Sequence, residues 1–438
     1  MAAIKEFLHE VKLYAVALGK WLALAGITGV LCGLIGSAFH ISVGYVTTLR
    51  QAQPWLLYLL PVAGLVIVSV YRLFHTEGEG TNDIIDAVHL GKPLPVLLLP
   101  SIFIGTVLTH LCGGSAGREG AALQMGGTIG YWSSRLFHLD DRDRRTATLC
   151  GMAAFFSALF GTPLAATMFA MMVISVGTFY LAAFIPCFTA SLVAYGISIL
   201  LGVAPTRFAV AIPAIIPLDL FRVGILAALC AWLSAIFCKV LRLCEHKAAK
   251  WFKNAWLRAA VGGLIIIALT LIVGTTDYNG AGMDLITAAV EQGKAAPEAF
   301  IMKLIFTCIT LAAGFKGGEV VPSFFIGATF GCAVAPLLGL PAGFGAALGL
   351  VCVFCGATNC PIASIFLAIE LFGGGGVLYF ALGCGVSYML SGYNGLYSSQ
   401  TILYSKLKAQ YINVHTNAYH AGENSDALPH IKGSLHDD

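Results

Sequence analysis

Gly113-Gly114-Ser115-Ala116-Gly117-Arg118-Glu119-Gly120-Ala121 places four glycines and one acid in nine residues, between an apolar run ending near Cys112 and another starting at Ala121. Glycine allows backbone geometries closed to other residues and lets its N–H approach a ligand closely. The apolar residues that follow make the loop a helix N-terminus, where free N–H groups and the helix dipole attract an anion. Glu119 then stands where an anion would bind, inside a hydrophobic chain. An ionisable residue at membrane depth is costly to place and marks function. The plain alternative is a glycine-rich surface loop with an incidental Arg-Glu pair, and one motif does not separate the two.

The rest of the chain does. Of 438 residues, 58% are hydrophobic and 11% charged, against roughly 25% charged in an average soluble domain; the mean hydropathy is +0.84. Residues 21–46, 55–73, 94–112, 179–203 and 223–241 meet the length and apolarity of a bilayer-spanning helix. Residues 259–273 and 378–390 are apolar but shorter. The composition therefore specifies an all-α polytopic membrane protein. The net charge of +3 says little, but its distribution says more. Lys239, Arg242, Lys247, Lys250, Lys253 and Arg258 cluster beside one acid, Glu245, and Arg142, Arg144 and Arg145 form a second patch among Asp140, Asp141 and Asp143. The positive-inside rule puts both loops, and the start with Lys5 and Lys12, in the cytoplasm. Such juxtamembrane basic clusters are ordinary in membrane proteins, so no nucleic-acid partner follows. The thirteen cysteines lie mostly within apolar runs. The Cys352/Cys355 pair has no second pair, so the cysteines read as small hydrophobes, with neither a metal site nor a disulfide framework.

Residues 1–20 read as a cytoplasmic amphipathic lead-in without a cleavable signal. The helix that follows carries Gly26, Gly29, Gly33 and Gly36 for close helix contact. A polar break, residues 75–83, interrupts the apolar runs and reads as an exposed loop or as non-helical backbone lining a cavity. Gly161-Thr162-Pro163 splits residues 147–176 into two shorter helices, and Pro205 to Pro217 is a turn-rich connection. Later apolar pieces at 300–313, 324–340, 344–353 and 361–372 are mostly too short to span straight. The tail from 409 to 438 is polar, with disorder expected from about Ala421. Short, glycine-broken pieces recurring in two halves point to a transporter with inverted repeats and a midplane site. Here Gly114…Arg118-Glu119…Gly127 matches Gly314…Gly318-Glu319…Gly327 at a shift of 200, and Gly151…Pro163 matches Gly349…Pro361 at 198. The halves are taken as residues 21–203 and 204–408. In the second copy, glycines again precede an apolar helix, and two opposed helix N-termini would make an anion site from backbone donors. The bland reading of Glu319 is a helix-capping acid.

Gly117-Arg118-Glu119-Gly120, Gly317-Gly318-Glu319-Val320-Val321-Pro322 and Leu396-Tyr397-Ser398 resemble the three signature segments of the CLC chloride channel and transporter family. The resemblance runs from about residue 21 to 408. The strings 113–127 and 314–331, with Ile369-Glu370-Leu371-Phe372-Gly373, are most similar to the bacterial fluoride-exporting branch. The resemblance implies a CLC-type inverted repeat of short and long helices, a homodimer with one anion path per subunit, and a bacterial inner-membrane location. It casts Glu119 as the gating glutamate, which blocks the path when ionised and moves a proton when neutral. It makes Glu319 the second proton-carrying acid. Backbone N–H groups of Arg118, Glu119, Gly120, Glu319, Val320 and Val321 would line the path. Tyr397 would offer its hydroxyl to the central anion, where composition alone would make it an interfacial belt tyrosine.

Two positions depart from the fluoride pattern. Thr81, in Gly80-Thr81-Asn82, takes the place of a methionine or asparagine, and its hydroxyl can donate as the serine of chloride proteins does. Glu77, Glu79 and Asp83 nearby would repel anions unless neutralised or turned to solvent. The internal glutamate of chloride exchangers falls at Met172 or Val173 and is absent, as in the fluoride branch, and Val321 replaces a frequent threonine. The implied function is a fluoride/proton antiporter exporting fluoride, with small inorganic anions and protons as partners and no cofactor. The alternative is a chloride/proton exchanger or a channel without tight proton coupling. A membrane-embedded enzyme using Glu119 and His110 lacks a metal cluster, a nucleophile–base pair and an exposed catalytic loop. His75, His89 and His110 read as near-interface histidines rather than ligands.

Overall fold

The computed structural model describes residues 2–408 and 410–417. Sixteen α-helices follow one another among them: α1 Ala2–Ala52, α2 Leu60–Leu73, α3 Thr81–Leu90, α4 Leu98–Leu111, α5 Glu119–Leu136, α6 Asp141–Phe160, α7 Pro163–Met172 and α8 Phe184–Leu200 in the first half. The second half holds α9 Pro217–Trp251, α10 Ala255–Val273, α11 Met283–Gln292, α12 Ala299–Ala312, α13 Val320–Val334, α14 Ala342–Thr358, α15 Pro361–Phe372 and α16 Val377–Leu390. Helices at 4–52, 54–73, 181–200, 217–251, 255–273 and 320–338, three of them counted with a 3-10 turn at one end, are long and apolar enough to cross a membrane. Two expectations change. Residues 94–112 yield a helix of only 14 residues, because Pro93 and Pro95 hold the backbone before them out of the helical region. Residues 259–273 become a 19-residue helix, extended backwards past Arg258 to an Asn254 cap whose side chain accepts from Trp256 N at 2.9 Å. Residues 2–20 are continuous with the helix that follows, one helix of 51 residues, and residues 4–20 are exposed all round.

Small residues set the closeness of the packing. Gly29 and Gly33 of α1 lie against Val193 and Ile197 of α8, and Gly36 against Ala158 of α6, while Gly26 faces open space. In the two halves, α5 packs on α6 and α13 on α14 with backbones nearly touching. A Cβ on Gly130 would lie 2.1 Å from Ala147 O, and one on Gly331 would lie 2.0 Å from Gly345 O. The lead basic loop and the second basic patch share a side of the molecule, since Lys20 pairs with Asp143.

The halves meet with a pseudo-two-fold pattern at their glycine loops. Ser115 N donates to Thr310 Oγ1 at 3.1 Å, and Lys316 N donates to Thr109 Oγ1 at 3.2 Å. These are reciprocal bonds at a shift of 201 (310 − 109 and 316 − 115). Gly117 N to Gly318 O at 2.7 Å and Gly318 N to Gly117 O at 2.8 Å join the loops at the same shift. The repeat thus operates one residue away from the shift of 200. Glu119 opens α5 where Val320 opens α13, and Glu319 is the counterpart of Arg118.

A small sheet closes the chain. β1 (Ser175–Val176) pairs in parallel with β2 (Thr401–Tyr404), which pairs antiparallel with β3 (Tyr411–His415). The first part of the polar tail, β3, is therefore paired with β2, which lies between it and β1 of the first half. The expected disorder from Ala421 lies outside the described residues.

Candidate functional site

The paired loops Gly117 and Gly318 bring the N-termini of α5 and α13 face to face. Glu119 is wholly buried there. Its Oε2 accepts from Arg118 N at 2.9 Å and from Val321 N at 3.2 Å, one donor from each helix start. Its Oε1 lies 3.9 Å from Arg118 Nε and has no hydrogen-bond partner among the described residues. A carboxylate oxygen held by two opposed backbone N–H groups occupies the place of a small anion. The approach requires glycine: a Cβ on Gly117 would lie 2.2 Å from Glu119 Oε2. Two of the six expected backbone donors are thus engaged by this carboxylate.

The remaining residues fall around that place. Gly120 sits against Gly318, and a Cβ on it would be 3.1 Å from Glu319 Oε2, so the second acid flanks the first turn of α5. Glu319 is the N-cap residue of α13 and is half-buried, and its carboxylate takes no hydrogen bond from another described residue. Val320 and Val321 are buried, and the Val321 side chain closes over Gly117. The side chain of Arg118 is 15% exposed.

Tyr397 is buried with its hydroxyl unpartnered among the described residues, within electrostatic reach of Glu319 and Glu119. Its segment is fixed from two sides: Leu396 N donates to Ala357 O at 2.9 Å, and Ser399 N to Asn82 Oδ1 at 3.1 Å. The second bond ties Tyr397 to the start of α3, where Thr81 is buried. Thr81 Oγ1 accepts from Gln124 Nε2 at 3.1 Å, which leaves its hydroxyl proton to donate elsewhere. Gln124 is the residue sequence reasoning missed. It is a buried amide on α5 whose Oε1 has no partner among the described residues, and its signal was a polar side chain inside the apolar run after Ala121.

The acids near Thr81 are all answered. Glu77 pairs with Arg72 at 2.8 Å, Glu79 with Lys92 at 3.4 Å, and Asp83 with Lys92 and with Gly80 N at 2.7 Å. The Asp83 hydrogen bond holds the Lys92 ammonium above its ordinary range, so the cation persists beside the two acids. Met172 and Val173 are buried and apolar. Of the histidines, His75 is exposed and His89 bonds Ile174 O at 2.9 Å. His110 departs from the interface expectation: it is buried at the end of α4 beside Arg50, Arg118 and Lys303, with both ring nitrogens unpartnered among the described residues. A cavity of about 390 Å³ leads from the surface to Glu119, lined also by Arg118, Val321, Arg50 and Asn279.

Relatives share this architecture. The voltage-gated chloride channel family model matches residues 63–392. A chloride/fluoride channel protein of Pseudomonas syringae pv. tomato is 37% identical over 407 residues, covering 89% of this chain and 88% of that protein. An H(+)/Cl(-) exchange transporter ClcA of Vibrio vulnificus is 27% identical over 392 residues, covering 80% and 81%. The crystal structure of a CLC-type fluoride/proton antiporter superposes with a TM-score of 0.83 at 30% identity, over 89% of this chain and 98% of that one. The two joined helix starts, the seated glutamate and these likenesses together make the chain an integral membrane protein of the voltage-gated chloride channel (CLC) family.

Proposed function

We propose that the protein is a proton-coupled anion transporter that exports fluoride across a bacterial inner membrane, working as a homodimer with one path per subunit. The observation that carries the reading is the Glu119 carboxylate on Arg118 N and Val321 N. Ionised, it fills the anion place and blocks the path. Protonated, it is a poorer acceptor for those N–H groups, leaves them, and frees them for an anion; an arriving anion in turn repels the charged form. Glu319, half-buried beside Gly120, takes the proton onward. Thr81 and Tyr397 supply hydroxyl donors to the anion between the two acids. Fluoride is favoured by the likeness to the fluoride/proton antiporter and to the chloride/fluoride channel protein, and by an acid at Glu319.

A chloride-preferring exchanger or channel is the second reading, and one observation favours it. The Thr81 hydroxyl is free to donate, as a serine is, while Val321 supplies none. Growth separates the two. Expressed in cells lacking their own fluoride exporter, the protein should restore growth in fluoride, and failure to protect despite membrane expression would favour chloride. Glu119→Gln should abolish proton coupling and leave residual anion flux; loss of all anion flux would count against a gating role.

A further inference from the structure

The end of α1 carries a cation that the transport scheme above does not use. Arg50 lines the cavity that leads to Glu119, and its Nη1 is closed off from solvent with no acceptor among the described residues. Nearby carbonyl groups already have donors. Gly113 O accepts from Asn279 Nδ2 at 2.7 Å, and Gly114 O from Gly280 N at 3.0 Å. Gly280 O accepts from Lys303 Nζ at 2.6 Å, with Tyr278 O also bonded to that amine at 3.2 Å. The guanidinium lies over Gly113 and Gly280: Cβ atoms there would meet Arg50 nitrogens at 3.3 and 3.0 Å. Both glycines have positive φ, 82° and 61°, so the loops are shaped to leave that space. The acids at the same cavity, Asp277 and Asp284, are exposed and form no ion pair with a described residue. Lys303 adds a second, fully buried amine beneath the same loop.

Arg50 is half-buried, its guanidinium does not shed its charge, and its enclosed Nη1 lacks an acceptor among the described residues, so a small anion in the cavity would offset the cost of that partial desolvation. We infer that Arg50, together with Arg118, forms an outer binding site for a small inorganic anion in this cavity, one step outside the place held by the Glu119 carboxylate. An anion leaving the Glu119 position would pause at this site before reaching solvent, and an anion from outside would enter through it. Because the site acts through charge, chloride and fluoride both occupy it. The inference rests on the proposed anion path past Glu119 but not on which anion the path prefers.

The test uses the full-length protein in liposomes, with anion flux measured while chloride, and separately fluoride, is varied on one face at a time. Arg50→Gln, which keeps a polar side chain but removes the charge, should raise the half-saturating concentration on the cavity face about five- to tenfold. The opposite face should shift less than twofold. Arg50→Lys should recover at least half of the lost affinity. An unchanged cavity-face concentration in Arg50→Gln would overturn the inference, as would an equal shift on both faces. If Arg50→Gln elutes as aggregate, accessibility of an Asp284→Cys variant to a negatively charged thiol reagent replaces it. Chloride should slow that reaction in a saturable way, and no slowing would overturn the site. A path that carries chloride but not fluoride would sink the fluoride reading while leaving these chloride titrations to decide the outer site.

Discussion

Two backbone donors and one guanidinium at 3.9 Å surround the buried Glu119 carboxylate. The hydroxyl of Tyr397 has no described partner to lose, so Tyr397→Phe removes the donor proposed for the anion without disturbing a protein bond. Hydrogen bonds to charged groups are worth about 1.5–3 kcal/mol, so this change should weaken anion binding about tenfold or more, measured by titration calorimetry in detergent. Thr81→Val tests the neighbouring donor: anion affinity should fall, and the fall should be larger for the anion the protein prefers. An unchanged affinity would remove Thr81 from the path. The sequence singled out Glu119 and Glu319, because glycine-flanked acids are unusual in apolar chains. It did not reveal that Thr81 meets Gln124, nor that Lys92 and Arg72 neutralise the three nearby acids. Those pairings depend on tertiary contact, which spacing along the chain does not encode.

At the scale of elements, the helix pairs α5–α6 and α13–α14 depend on missing Cβ atoms. Gly130→Ala would drive a methyl to 2.1 Å from Ala147 O, and the backbones must separate to admit it. Such overpacking typically costs about 1–3 kcal/mol and occasionally more. Gly26→Ala enters open space on α1 and should be neutral or gain up to about 1 kcal/mol of helix propensity. Thermal melting followed by size-exclusion chromatography compares the two, and equal melting temperatures would contradict this packing. In the sequence Gly26 is indistinguishable from Gly29, Gly33 and Gly36, which do lie against neighbouring helices. The repeat register shows the same limit. Glycine-rich strings align acceptably at 200 and at 201, and the reciprocal bonds of Thr109 and Thr310 and of Gly117 and Gly318 choose between them. Hydropathy also overlooked Pro93 and Pro95, which shorten α4, and let Arg258 hide the start of α10.

At the scale of the molecule, two inverted halves present their helix starts to one shared point, so neither half alone supplies both donors to the Glu119 carboxylate. Glu119 and Glu319 are not symmetry mates, since the counterpart of Glu119 is Val320. The two acids therefore need not share a role, which suits one as gate and the other as proton carrier. Glu319→Gln should accordingly uncouple protons while leaving the Glu119 block in place, with slow anion flux at neutral pH. Fast, proton-independent flux in that variant would reverse the two roles. The most direct test of the whole scheme follows fluoride, chloride and protons together in liposomes holding the purified wild-type protein at a set membrane potential. Fluoride efflux that drives protons uphill, with chloride much slower, is the predicted result. Comparable chloride flux without proton movement would contradict it and leave Glu119 a gate in an uncoupled anion path.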